Sequence, residues 1–174
     1  VMSNRIKRVL RHRWLDESAA QRAIPADMLQ RLRQRVAASE QRHGGEIRIF
    51  VEGSLPLSYL WRRLSTKQII RQRALSIFGK LRVWDTAQNN GVLIYLLLAE
   101  RAIEIVADRG LNGCVSPQMW QFMVARMQAA FQAQQFEDGL TQAIDEVSTL
   151  LTTHFPAKSG QIKPNELPDE PVLK

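Results

Sequence analysis

Nine consecutive residues, Gly91 to Ala99 (GVLIYLLLA), carry no charge, and after Glu100 and Arg101 a second mostly apolar stretch, Ala102 to Ala107, follows at once. A run of nine is far short of the ~20 residues that a membrane-spanning helix needs. It is also too uniformly apolar for a strand with one wet face, which would alternate. The arrangement left is a strand covered on both faces, as the central strand of an α/β sheet is. Only Glu100-Arg101 separates the two runs, so they are expected to fold back on each other as a hairpin. Any fold for this chain therefore has to supply helices for both sides of that hairpin.

The rest of the chain offers them. Pro25 opens a helix with Met28, Leu29, Leu32 and Val36 at core spacing, stopped by Gly44-Gly45. "EIRIFVEG" alternates Ile47, Ile49 and Val51 with Glu46, Arg48, Phe50 and Glu52, the pattern of a first strand. Residues 55 to 63 read as irregular or briefly helical. Ser65 with Gln68 makes a capping box for a helix reaching Gly79. Ser116-Pro117 opens another, and a last helix spans Glu137 to Phe155. The order is α-α-β-α-β-β-α-α, and the helix between strands one and two makes them parallel if adjacent. The predicted fold is a single-domain three-layer α-β-α sandwich with a small mixed sheet. Its parts are a basic amphipathic helix in residues 1–19, the α/β domain in 20–156, and a Pro-rich, disordered tail in 157–174.

Charge narrows the partners. The net charge of +7 is uneven: residues 1–42 hold ten Lys/Arg against four Asp/Glu, and residues 111–174 hold four against seven. A basic front suits nucleic acid, an anionic membrane surface or an acidic protein. The aromatic residues fall at core-like positions and do not interleave with Lys/Arg on a strand, which disfavours nucleic acid. "SNRIKRVLRHRW" places Ile6, Val9, Leu10 and Trp14 on one helical stripe among arginines. That stripe is expected to pack on the domain, although its basic and aromatic character also suits an anionic membrane surface or a protein partner. No transmembrane segment or leader pattern is present, so the expected location is cytoplasmic or peripheral to a membrane. Cys114 stands alone and forms no intrachain disulfide.

The hairpin is bordered by polar residues. The loop Asp85–Asn90 enters strand two, and strand three, running back, ends on Asp108-Arg109 beside it. A parallel strand one brings Glu46 to the same edge. Asp85, Asp108 and Glu46 with Asn89 and Asn90 offer hard oxygen ligands suited to Ca²⁺ or Mg²⁺. Arg109 and the start of the helix after Ser116 suit an anion. The competing reading is turn chemistry, since Asn and Gly tolerate positive φ. Standard hydrolase signatures are absent. Trp120 stands where a cysteine phosphatase built on Cys114 would need arginine, Asp85-Thr86-Ala87 lacks the second aspartate of a phosphoaspartyl loop, and Arg42-His43-Gly44 sits at a helix end.

Asn89-Asn90-Gly91 before an apolar strand, a short turn with Arg101, a second strand closing on Gly110-Leu111-x-Gly113, and Phe136-x-x-Gly139-Leu140 opening the last helix together resemble the TPM domain family. The resemblance covers roughly residues 20 to 155. It implies an α/β sandwich akin to plant thylakoid-lumen proteins linked to photosystem II repair and to bacterial homologues, with Ca²⁺ binding and acid phosphatase activity associated with some members. Two functions follow as expectations. The first is an accessory or binding module whose basic N-terminal region touches a partner. The alternative is a divalent-cation-dependent phosphomonoester hydrolase in which Asp85, Asn89, Asn90 and Asp108 hold the metal and Arg109 binds phosphate.

Overall fold

A computed structural model of the chain describes residues 4–13, 15 and 17–174. Its elements are α1 (Asn4–His12), α2 (Glu17–Ala23), α3 (Ala26–Glu40), β1 (Glu46–Glu52), α4 (Leu57–Leu60), α5 (Thr66–Lys80), β2 (Gly91–Leu97), β3 (Ala102–Ala107), α6 (Arg109–Asn112), α7 (Pro117–Gln132), α8 (Phe136–His154) and β4 (Val172–Leu173). The sheet order is β3-β2-β1-β4, with β1 parallel to β2 and β4 and with β3 antiparallel to β2.

Alternation on β2 builds both cores. Val92, Ile94 and Leu96 join residues of α2, α3, α7 and α8 on one face, and Leu93, Tyr95 and Leu97 join α4 and α5 on the other. Every residue of β2 is buried, which is the expected three-layer sandwich. Each fully covered aliphatic side chain contributes roughly 1.5–3 kcal/mol, so the hairpin anchors the domain. Tyr95 brings a hydroxyl into this core and donates it to Glu52 (2.6 Å), which Arg73 clamps through two nitrogens at 2.6 and 3.0 Å. Burial and the Glu52 carboxylate push the Tyr95 phenol well above its ordinary pKa.

Local chemistry explains the boundaries. Ser65 and Gln68 form the capping box of α5, and Ser116 caps α7. The hairpin departs from expectation in one respect. β2 stops at Leu97, Leu98–Glu100 wind into a 3-10 turn, and Arg101 takes a left-handed φ of 46° to re-enter β3. In "NNG" it is Asn89 that adopts positive φ (52°). Gly91 serves close approach instead, because a Cβ there would strike the carbonyl oxygen of Val83.

Two expectations meet different outcomes. Of the stretch 157–174, read as a disordered tail from its proline content, residues 157–162 are exposed but 163–174 run along the domain, and Val172–Leu173 add a short strand to β1. Buried polar groups on β1 hold it: Arg48 donates to the carbonyls of Pro168 (2.5 Å) and Glu170 (3.1 Å), and Lys163 pairs with Glu46 (2.7 Å). The helix α1 packs, but its expected apolar stripe is split, and Val9 packs against the α4–α5 core. Arg8 and His12 face the domain while Ile6 and Leu10 face outward. The surface beneath is a row of carbonyls, of Leu60, Arg62 and Leu64, and it takes a guanidinium rather than a methyl group. Trp14, expected on the same stripe, lies outside the described residues.

Candidate functional site

The register of β1 and β2 begins at Glu46 opposite Gly91, and the amide of Asp108 donates to the carbonyl of Gly91 (2.9 Å). Glu46, Asn89, Asn90, Asp108 and Arg109 therefore share one end of the sheet. Within that end they divide into separate local networks. Arg109 donates to the Asn89 side chain (3.0 Å), and the amide of Gly110 donates to the Asn89 carbonyl (2.8 Å). Asp108 accepts from the Arg109 amide through Oδ1 (2.8 Å), while its Oδ2 is buried and has no partner. Asn90 is fully buried, donates Nδ2 to the Gly44 carbonyl (3.1 Å), and likewise leaves Oδ1 without a partner.

The other two predicted ligands are engaged elsewhere. Asp85 forms an exposed ion pair with Arg82 (2.7 Å). Glu46 has no exposure and is held by Lys163 and by the amides of Glu166 and Leu167, both at 3.3 Å. Among the described residues no group of three or more His, Cys, Asp or Glu is placed to hold a metal ion. Asp108 stands opposite Gly91, one step from Asn90, and strand alternation sends successive side chains to opposite faces.

Residues that the sequence did not single out surround Glu46. Glu40 accepts from the Ile47 amide (2.8 Å) and lies 3.8 Å from Lys163. Burial and the neighbouring Glu46 charge push the Glu40 carboxyl up to about 8, against the pull of the Ile47 amide and Lys163. Burial and the charge of Lys163 push His43 down to about 4. Arg42-His43-Gly44 is thus a turn between α3 and β1 that buries His43 and leaves Arg42 exposed. Its neighbour Gly45 gives its carbonyl to Lys163. A pair of carboxylates flanking Gly-Gly ahead of a buried strand was the available hint that a distant cation must come to them.

Two surfaces stand apart from this end. On α1, Ile6 and Leu10 are 44% and 45% exposed. His12 is locked beneath them. Its Nδ1 accepts from the Leu55 amide (3.0 Å), which leaves Nε2 to donate to Glu100 (3.1 Å). Burial works against the Glu100 charge, but His12 and Arg11 outweigh it and hold that carboxyl below its usual range. Between α5, β3 and α7 runs a groove of about 860 Å³, bordered by Lys67, Arg71, Glu104, Trp120, Val124 and Gln128. No helix among the described residues is long and apolar enough to cross a membrane.

Comparison with known proteins bears on the whole arrangement. No curated protein matches the chain. Among solved structures it is similar to the BA42 protein of the psychrophilic bacterium Bizionia argentinensis, with 26% identity and a TM-score of 0.71 over 86% of this chain and 94% of that one. The N-terminal domain of a protein from P. gingivalis shares the fold at 17% identity and a TM-score of 0.56, covering 76% of this chain and 81% of that one. The TPM domain family model matches residues 20–150, which contain β1, the hairpin, α7, and α8 except its last turn. The chain belongs to the TPM domain family.

Proposed function

We propose that this chain is a TPM-domain binding module that docks on an anionic membrane surface through α1, the helix that precedes the matched domain. The observation that supports it is the split stripe of that helix: Arg8 and His12 are buried and Val9 packs inward, while Ile6 and Leu10 face outward. A helix that only packs on its own domain turns its apolar stripe inward. Lys7 and Arg13 stand three residues either side of Leu10 and border the exposed stripe. Cationic side chains close to an anionic leaflet contribute about 1 kcal/mol each. Arg8 also fastens α1 to the segment carrying Leu57 and Trp61, which are 69% and 57% exposed. Aliphatic and aromatic residues among basic ones suit a helix lying in the headgroup plane.

The test is co-sedimentation with vesicles of phosphatidylcholine with and without phosphatidylserine. Binding is expected only with phosphatidylserine, weakening as salt rises. Ile6→Glu/Leu10→Glu, two surface changes that leave the fold intact, should abolish it. Equal binding by that double variant, or none to anionic vesicles at low salt, overturns the proposal.

A second reading has its own support. The partnerless, buried Oδ2 of Asp108 favours Ca²⁺ or Mg²⁺ at that end of the sheet, with the equally partnerless Oδ1 of Asn90 on the other face and with Glu46 and Asp85 joining only after release from Lys163 and Arg82. A cation that binds the folded state alone raises the melting temperature. A saturable rise with millimolar Ca²⁺ or Mg²⁺, lost in Asp108→Ala, would carry this reading; a flat titration would end it. The phosphatase alternative draws support from family membership alone, and turnover of a generic phosphomonoester lost in Asp108→Ala would be its sign.

A further inference from the structure

β3 closes one side of the sheet, and its outer edge lies at the floor of the α5–α7 groove. The amide of Asp108 bonds to Gly91, so in this antiparallel pair Val106, Glu104 and Ala102 also bond inward to β2. The N–H and C=O groups of Ile103, Ile105 and Ala107 therefore point out of the sheet. Side chains occupy part of that row. Gln128 accepts from the Ile103 amide (3.4 Å) and donates to the Arg101 carbonyl (2.5 Å). Arg71 donates to the Ile105 carbonyl (2.8 Å), and Asn112 to the Ala107 carbonyl (2.9 Å). The amides of Ile105 and Ala107 have no partner among the described residues, although both residues are buried (4% and 8% exposed). A strand edge with amides that lack an acceptor is a ready template for another strand. The indole N–H of Trp120, on the groove wall, is buried and partnerless as well.

We propose that this edge receives an extended peptide segment of a partner protein, which adds to β3 as a fifth strand. Main-chain carbonyls of the peptide would satisfy Ile105 and Ala107, as in other strand additions. The walls select its side chains. Alternate residues of a strand face opposite ways, so one set meets α5, where Lys67 lies beside Arg71, itself paired with Glu104 of β3 (3.1 Å), and the other meets Trp120 and Val124 on α7. The fitting sequence alternates acidic and apolar residues. A second copy of this chain does not fit, because its own β3 edge is equally recessed between two helices. The proposal does not depend on membrane docking through α1, and the two fail separately.

The probe is a pooled set of synthetic octapeptides alternating acidic and apolar positions. A control pool is N-methylated at every second amide, and a second control carries Lys in place of the acids. Binding should slow hydrogen exchange at Ile105 and Ala107 about tenfold at ninety per cent occupancy, and leave α1 amides unchanged. Lys67→Glu should weaken binding several-fold, whereas Ile6→Glu/Leu10→Glu should bind as the unaltered chain does. Failure of every peptide to protect the two amides, or equal binding by the methylated pool, overturns the proposal. Concentration-dependent protection without peptide would replace it with self-association.

Discussion

Glu40 and His43 lie three residues apart, and burial moves them off their ordinary protonation in opposite directions. The consequence for stability has a definite sign. With Glu40 raised from 4.5 to about 8, the folded state keeps a proton that the unfolded chain loses, so this contribution is full below about 4.5 and is lost as pH rises towards 8. With His43 lowered from 6.5 to about 4, the unfolded chain binds a proton that the folded state refuses, so its contribution is present above 6.5 and is lost as pH falls towards 4. The two slopes oppose each other between 4.5 and 6.5, and Glu40 acts alone from 6.5 to 8. The urea midpoint is expected to fall from pH 6.5 to 8 in the unaltered chain and to stay level in Glu40→Gln; matching falls in both would refute the assignment. The sequence placed Glu46 at the right end of the sheet but offered it as a metal ligand. Its actual partners come from a segment about 120 residues away, and no local spacing encodes that. Asp85 is the opposite case, since its ion-pair partner, Arg82, stands only three residues before it.

At the scale of elements, what could be read was what is written locally. The Ser65–Gln68 box, the Ser116-Pro117 start and the uncharged hairpin depend on residues within a few positions of each other. The orientation of α1 is not of this kind. Its stripe marks an apolar face correctly, yet the carbonyls of Leu60, Arg62 and Leu64 decide which face turns inward. Arg8→Met keeps the aliphatic stem and removes the donors, and should cost about 2 kcal/mol. The loss should appear mainly as local opening, with α1 amides exchanging near the rate of an open chain while β2 amides keep their protection. Unchanged α1 exchange would show that something other than Arg8 holds the helix. The missed α6 is a single turn capped by Asp108, too short for periodicity to reveal.

For the whole molecule, the C-terminal segment decides whether the β1 side of the sheet is finished. Removal of residues 157–174 takes away β4 and Lys163 and leaves the Glu46 carboxylate buried without its cation. Loss of one partner from a buried pair costs about 3–5 kcal/mol, and Glu46→Gln in the shortened chain should recover part of it. Denaturant titration of the three proteins checks this, and no recovery in the Gln variant would assign the segment's role to packing alone. The same architecture sets an order of events during synthesis. Chains leave the ribosome at roughly 5–20 residues per second, so β1, β2 and β3 are exposed before Lys163 is made. For a time on the order of seconds, the newborn sheet must hold together around a carboxylate whose lysine has yet to be translated.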